Sequence, residues 1–317
     1  MDLRQLAALV AIADHGSFSA AARALYTVQS NVSTHIARLE RELGQTLIDR
    51  HAGELTPAGT LVVERARRVL RELDDIPGDL VSDNDHIAGQ TRLGVIGTTA
   101  RWLMPQVLGA VQRAHPGVRA IVYEGSTSTL LPMLVSRQID AAVVHLPVDD
   151  PEIDVDPLFA EDLMLLAHDQ HPLADRHELM LAELAPHPLL LPPPGTSLRR
   201  VVDRAAAAQN MSLRVQAEID GVRLLTSLAF DGYGAAIVPA TAVPGWLRGE
   251  FRLIRVHGLP RRVVGWTQRR RPRTNAATRA VKVITRDLVA SRGARQPGVH
   301  PGAADHPLRG TERTGTP

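Results

Sequence analysis

From Pro57 to Leu80 the apolar residues Val62, Ala66, Val69, Leu73, Ile76 and Leu80 recur at intervals of 4, 3, 4, 3 and 4. On a helix this spacing gathers them into one narrow stripe, the seam of a coiled coil. A single helix cannot bury such a stripe. The same helix from a second copy is the simplest partner, and the chain's own core is the alternative. Thr56-Pro57 marks the start, an N-cap followed by proline in the first helical position. Pro77-Gly78 interrupts the pattern, so the helix is expected to kink or end near Asp75, leaving the rest, to Gly89, as a hinge.

Upstream of this helix the sequence reads as three shorter ones. Asp2 with Gln5 three positions later forms a plausible N-cap pair. Leu3, Leu6, Val10 and Ala13 follow at helical spacing, and Gly16 is a natural stop. Ser17 or Ser19 can cap a short Ala-rich helix over 20–25, and Thr27 can cap a third helix running to about Leu43. Val32, Ile36, Leu39 and Leu43 form its buried stripe, while Ser30, Thr34, Ala37 and Arg41 face away, with Gln29 and Ser33 to the side. A short helix, a tight turn and a helix with polar residues on its exposed first turns is the helix-turn-helix layout. Its second helix enters the major groove, where Gln, Ser and Thr can hydrogen-bond base edges or phosphates. By spacing alone, a merely solvated helix face is the competing reading. Strands over 47–50 and 54–55 around His51-Ala52-Gly53 would make a wing whose Arg50 and His51 reach phosphate or the minor groove.

After Gly89 strand and helix signals alternate. Strands are expected over 91–96, 118–123 and 139–144, and helices start at Thr98-Thr99 and at Ser126-Thr127-Ser128. A second set follows: strands over 163–167, 188–191, 215–218 and 235–239, a helix over 198–209 capped by Thr196-Ser197, and one containing Val222, Leu225 and Leu228. Alternation of this kind implies parallel sheets with right-handed crossovers. Ligands of such sheets sit beyond the carboxyl ends of the strands, against helix N-termini, so Thr98, Thr99, Ser126, Thr127 and His145 would line that edge. Helix N-termini facing one cleft favour an anion. Arg101, Arg199 and Arg223 are nearby candidates to pair with a carboxylate. The competing reading of each Ser or Thr is a simple helix cap.

A length of 317 residues allows about two domains, and the absence of cysteine removes disulfides, thiolate metal sites and thiol-based redox sensing. No apolar run is long enough to span a membrane, and the N-terminus lacks the basic start of a secretory signal, so the cytoplasm is the expected location. A net charge of +2 argues only weakly for a nucleic-acid partner. Residues 293–317 lack apolar periodicity and are rich in Gly and Pro, so they are expected to be disordered; His300 and His306 there lack metal-ligand spacing.

The segment GSFSAAARAL…VQSNVSTHIARLERELGQTLIDR…LTPAG resembles the N-terminal domain of LysR-type transcriptional regulators in order and spacing. TRLGVIGTT…LMP, HPGVRAIVYEGSTSTLLPML…IDAAV, DQHPLA and DGYGAAIVP are similar to that family's effector domain, itself like periplasmic binding proteins. The resemblance covers residues 1–291 or so. It implies DNA contacts from Gln29, Ser30, Ser33, Thr34 and Arg50, and a dimer formed through the long helix. Ser30 stands where the family commonly has Pro, Thr34 where Arg is frequent and Ile48 where Phe is usual. The first two lie on the reading surface.

The expected fold is therefore multidomain: a helical winged helix-turn-helix (1–59), a linker helix and hinge (60–88), and an α/β effector domain of two periplasmic-binding-protein-like subdomains (89–292). Subdomain I would hold 89–162 and 266–292, and subdomain II 163–265. The candidate effector residues are Thr98, Thr99, Ser126, Thr127, His145, Thr196, Ser197 and Arg223. The expected function is a DNA-binding transcription regulator controlled by a small, anionic effector. Its partners would be operator DNA, the effector and itself as dimer or tetramer, with no membrane and no cofactor. A solute-binding protein fits the C-terminal pattern but not the first 88 residues. An enzyme is disfavoured, since no phosphate loop, nucleophile elbow or metal-spaced His/Asp/Glu cluster is present.

Overall fold

The computed structural model describes residues 1–49, 53–80, 87–271 and 274–302. The chain divides into two compact units, Met1–Gly89 with Ser136–Gln138, and the remainder.

In the first unit, α1 (Leu3–His15) opens with a reciprocal capping box. The Asp2 carboxylate accepts from the Gln5 N–H at 2.9 Å, and the Gln5 side chain accepts from the Asp2 N–H at 2.7 Å. Gly16 closes α1 at φ +72, a conformation costly for any residue with a Cβ. α2 (Phe18–Ala24) is capped by Ser17. α3 (Gln29–Leu43) starts at Val28 without a side-chain cap, so Thr27 is not the cap that the sequence suggests. The turn at Tyr26, φ +51, brings Thr27 in one residue too early to reach the first free N–H groups; its hydroxyl instead accepts from Asn31 Nδ2 at 3.0 Å.

Val32, Ile36 and Leu39 are buried with Leu6, Leu9, Ile12, Leu47 and Ile48. Leu43, expected in that stripe, is 38% exposed, because the helix ends beside it at Gly44. The fully buried Ala21 carries no side chain beyond Cβ, so α2 can pack close. β1 (Ile48–Asp49) pairs antiparallel with β2 (Glu54–Leu55). Glu40 of α3 accepts from the N–H groups of Leu47 and Ile48 at 2.8 and 3.3 Å, tying the base of the hairpin to that helix.

α4 (Pro57–Leu80) is capped by Thr56, whose hydroxyl accepts from the Gly59 N–H at 3.0 Å. It runs past Pro77-Gly78 to Leu80 rather than ending near Asp75. A proline removes one ladder bond wherever it sits in a helix, and α4 continues only from Pro77 to Leu80 beyond it. The apolar stripe divides: Ala66 joins the core and Val62 packs against it, while Val69, Leu73 and Ile76 are exposed.

The second unit is built on two six-stranded sheets with helices α5 (Gly97–Ala114), α6 (Thr127–Val135), α7 (Ser197–Ala207), α8 (Val222–Phe230) and α9 (Ala276–Arg292). The first sheet contains β3 (Ala88–Ile96), β4 (Gly117–Gly125), β5 (Ala141–His145), β6 (Ile153–Glu161), β13 (Arg262–Arg269) and β14 (Val299–Pro301), in the order β14-β6-β13-β5-β3-β4. The second contains β7 (Leu163–His168), β8 (Glu178–Met180), β9 (Leu189–Leu191), β10 (Val215–Glu218), β11 (Ala235–Pro239) and β12 (Phe251–His257), in the order β10-β9-β11-β7-β12-β8. The sheets are mixed rather than parallel. β3 and β5 are parallel, but β13 runs antiparallel to β5 and β6, and β7 antiparallel to β11 and β12. The reason is the chain path: it leaves the first sheet after β6 and re-enters as β13, so the crossing strands meet their neighbours head to tail. Re-entry falls at Arg262, ahead of a boundary at 265/266.

The segment after Arg292 also departs from expectation. Gly293–Arg295 form a 3₁₀ turn, and β14 pairs antiparallel with β6, Val299 opposite Glu161. Backbone pairing and one buried amide replace apolar periodicity here. Gln296 Nε2 donates to the Val243 carbonyl at 3.1 Å, and its Oε1 accepts from the Gly245 N–H at 3.2 Å. His300 Nε2 lies 3.0 Å from Asp162, which also accepts from Arg261 Nε at 2.8 Å. Residues 303–317, with His306, lie outside the described residues.

Candidate functional site

Gln29, Ser30 and Thr34 are exposed on the first turns of α3, and Ser33 is half-buried beside them. Ser30 and Thr34 lie opposite Val32, Ile36 and Leu39, with Gln29 and Ser33 to the side, so none of the four belongs to the buried stripe. Two are already oriented. Ser19 Oγ donates to Gln29 Oε1 at 2.7 Å, leaving the amide N–H groups outward, and Thr34 Oγ1 donates to the Ser30 carbonyl at 2.8 Å, leaving its methyl outward. Arg50 and His51 lie outside the described residues.

In the α/β unit a cavity of about 320 Å³ opens between the two sheets. The starts of α5, α6, α7 and α8 all reach it, through Thr98, Thr127, Ser197 and Val222. Ser126 caps α6, its hydroxyl accepting from the Thr129 N–H at 3.2 Å, and Thr196 caps α7, accepting from the Arg199 N–H at 3.3 Å. α5 and α8 have no side-chain cap. Both starts lie in the cavity lining, so their positive dipole ends meet it without a side-chain cap. Gly97 opens α5 close to Glu124: a Cβ there would stand 2.7 Å from Glu124 Oε1, and that flexible carboxylate would have to shift.

The expected residues Thr98, Ser126, Thr127, His145, Thr196, Ser197 and Arg223 line the cavity, as does Arg101. Thr99 does not; it is fully buried behind the helix start, because the next residue of a helix points about 100° away. Arg199 is also absent from the lining and is held by Asp203 at 2.8 Å and Glu218 at 3.0 Å. Arg223 is paired with Glu124 at 2.5 Å, across from α8 to the end of β4. Arg101 lies over the Trp246 ring, 5.9 Å from its centroid.

One group was not legible from sequence pattern. Arg262, buried at the start of β13, lines the cavity and donates Nε to Glu161, Nη1 to His145 Nε2 and Nη2 to Thr98 Oγ1, the last at 2.8 Å. Glu161 is fully buried; its second oxygen accepts from Thr241 Oγ1 at 2.6 Å and from the Thr241 N–H at 3.2 Å. Burial, and then the neighbouring Arg262, hold the His145 imidazole well below its usual value of 6.5. The ring is thus neutral near pH 7, and its Nε2 is an acceptor. The available signal was a charged residue inside an apolar strand: Glu161 in LFAEDLMLLA and Arg262 before Val263-Val264.

The fold and cavity define a small-molecule-responsive unit carried with a winged helix-turn-helix. Residues 3–60 match the family described as "Bacterial regulatory helix-turn-helix protein, lysR family", and residues 84–288 the "LysR substrate binding domain". The chain belongs to the LysR family and is a DNA-binding transcription regulator with an effector-binding domain; its relatives are regulators, not enzymes. It is 30% identical over 277 residues to the DNA-binding transcriptional dual regulator OxyR of Escherichia coli K12, covering 85% of this chain and 90% of that one. It is 33% identical over 246 residues to a probable hydrogen peroxide-inducible genes activator of Mycobacterium avium, covering 75% and 78%. Among solved structures, CbnR complexed with its target DNA superimposes with a TM-score of 0.71 at 22% identity, covering 90% of this chain and 99% of that one. A full-length OxyR cysteine variant from Pseudomonas aeruginosa gives 0.70 at 24%, covering 93% and 97%. No described helix is long and apolar enough to cross a membrane.

Proposed function

We propose that α3 reads operator DNA through Gln29, Ser30, Ser33 and Thr34, with Arg50 and His51 touching the backbone from the wing, and that the cavity binds a small anionic effector. Four helix starts converging on one cavity, two of them uncapped, carry the effector reading. Effector occupancy shifts the population between subdomain arrangements, which changes how two copies present their recognition helices. The exposed Val69, Leu73 and Ile76 of α4 supply a face for a second copy, and a dimer suits a two-half-site operator. Its place of work is the cytoplasm, where the DNA is. Although several relatives are named for hydrogen peroxide, this chain has no cysteine, so a response carried by a thiol is chemically closed to it.

The test is a gel-shift titration on DNA upstream of the chain's own reading frame, comparing wild type with Ser33→Ala/Thr34→Ala and Arg50→Ala. Binding that resists competitor DNA and weakens at least tenfold in these variants is expected. Equal binding by wild type and the double variant would remove α3 as the reading surface.

A further inference from the structure

Arg262 has an arrangement that a structural ion pair does not need. An arginine has five N–H donors. Three are spent, on Glu161, His145 and Thr98, and one remains on each terminal nitrogen. The residue is 7% exposed, and what surface it keeps is in the cavity wall. Two unspent donors on a nearly buried cation facing a cavity are costly unless something accepts from them. The two terminal nitrogens of a guanidinium match the two oxygens of a carboxylate.

The surroundings limit the charge of that ligand. Of the other ionisable side chains lining the cavity, Arg223 is paired with Glu124, His145 is an acceptor to Arg262, and Arg101 lies on Trp246, leaving Asp220 as an anion. Arg262 itself is shared with Glu161. Arg101 has no carboxylate partner among the described residues, but Asp220 offsets its charge, so the lining side chains carry no net positive charge for a dianion, and the uncapped starts of α5 and α8 supply the remaining positive potential. A volume of about 320 Å³ lies at the small end of ligand sites, roughly 300–1,000 Å³.

We propose that Arg262 anchors the single planar carboxylate of a small organic monoacid in this cavity, an assignment that rests on the cavity being the effector site. Thr98 and His145 are then positioning residues: each holds one terminal nitrogen so that the free N–H groups keep their direction.

The experiment is a thermal-shift and calorimetric titration of the full chain with benzoate and hexanoate, their amides benzamide and hexanamide, and inorganic phosphate. Three proteins are compared: wild type, Arg262→Gln/Glu161→Gln, which keeps the buried site neutral and is checked for folding by circular dichroism, and Thr196→Phe, which fills the cavity from α7 without touching Arg262. The expected result is that at least one acid binds wild type, its amide and phosphate bind at least tenfold more weakly, and both variants lose the acid. Acid binding kept in Arg262→Gln/Glu161→Gln but lost in Thr196→Phe would overturn the Arg262 anchor and leave the cavity as the effector site. Acid binding kept in both would remove the cavity itself. Amide binding as tight as acid, phosphate binding tighter than either acid, or no binding of any acid, would each overturn the carboxylate assignment.

Discussion

On α3 one side of the helix packs, through Val32, Ile36 and Leu39, while Gln29, Ser30 and Thr34 stand in solvent with Ser33 half-buried beside them. In the α/β unit the same separation is missing. Arg262 and His145 line the cavity and, with the fully buried Glu161, at the same time close the crossing between two sheets. A reading surface on the outside can be altered without touching the core. A site made of buried charge cannot, because each partner removed leaves another one desolvated and unpaired. Operator preference in such a chain is therefore free to drift, while the chemistry at the cavity floor is held by stability.

The largest expected effect tests the second half of that contrast. Arg262→Gln should lower unfolding free energy by about 3–5 kcal/mol, and adding Glu161→Gln should restore more than half of it. Urea denaturation of the full chain measures both, and a loss under about 1 kcal/mol for the single variant would mean the pair is not buried in solution.

The next effect is on pH. His145 stays neutral in the folded chain at pH values where the unfolded chain binds its proton, so the unfolded state carries more protons below 6.5. Stability then falls as pH drops from 6.5, by up to about 1.4 kcal/mol per pH unit for this one group. Thirteen histidines share the titration, so the readout is the difference in urea midpoint between wild type and His145→Asn across roughly pH 6.5 to 5.5. Parallel curves would show that His145 is exposed or protonated.

Smaller still is Thr196→Val, which removes the α7 cap and should cost about 1 kcal/mol. The least costly change for folding is Ser33→Ala/Thr34→Ala, within about 0.5 kcal/mol of wild type by the same denaturation. Should that pair destabilise as much as Thr196→Val, the supposed independence of reading and packing on α3 fails.

What could be read in advance followed the range of the interactions. The Asp2–Gln5 box, the stop at Gly16 and the stripe Val32, Ile36, Leu39 all depend on neighbours within one or two turns. So do the caps Thr56, Ser126 and Thr196. The errors also have local causes: Thr27 was displaced by the Tyr26 turn, and Thr99 turned inward one residue beyond Thr98. The Arg262–Glu161 pair joins residues 101 apart, and Arg262 reaches back 164 positions to Thr98. Period and capping signals carry no information across such distances; strand pairing does. The sequence therefore offers Arg101, Arg199 and Arg223 to an anion rather than Arg262; Arg199 is absent from the cavity lining, and Arg101 and Arg223 line it without being buried in its wall as Arg262 is.

The short strand β14 extends the α/β unit past the end of the family match. The family match ends at residue 288, yet the outer ladder of β6 is covered only further on, by Val299–Pro301. A version of the chain cut at 292 would lose that cover and Gln296's grip on the 243–245 loop. It would bare hydrogen-bonding groups along Phe159–Glu161, a template for a strand from another molecule. Such a shortened protein is expected to self-associate through that edge in light scattering, although every residue of the recognised family domain is still present.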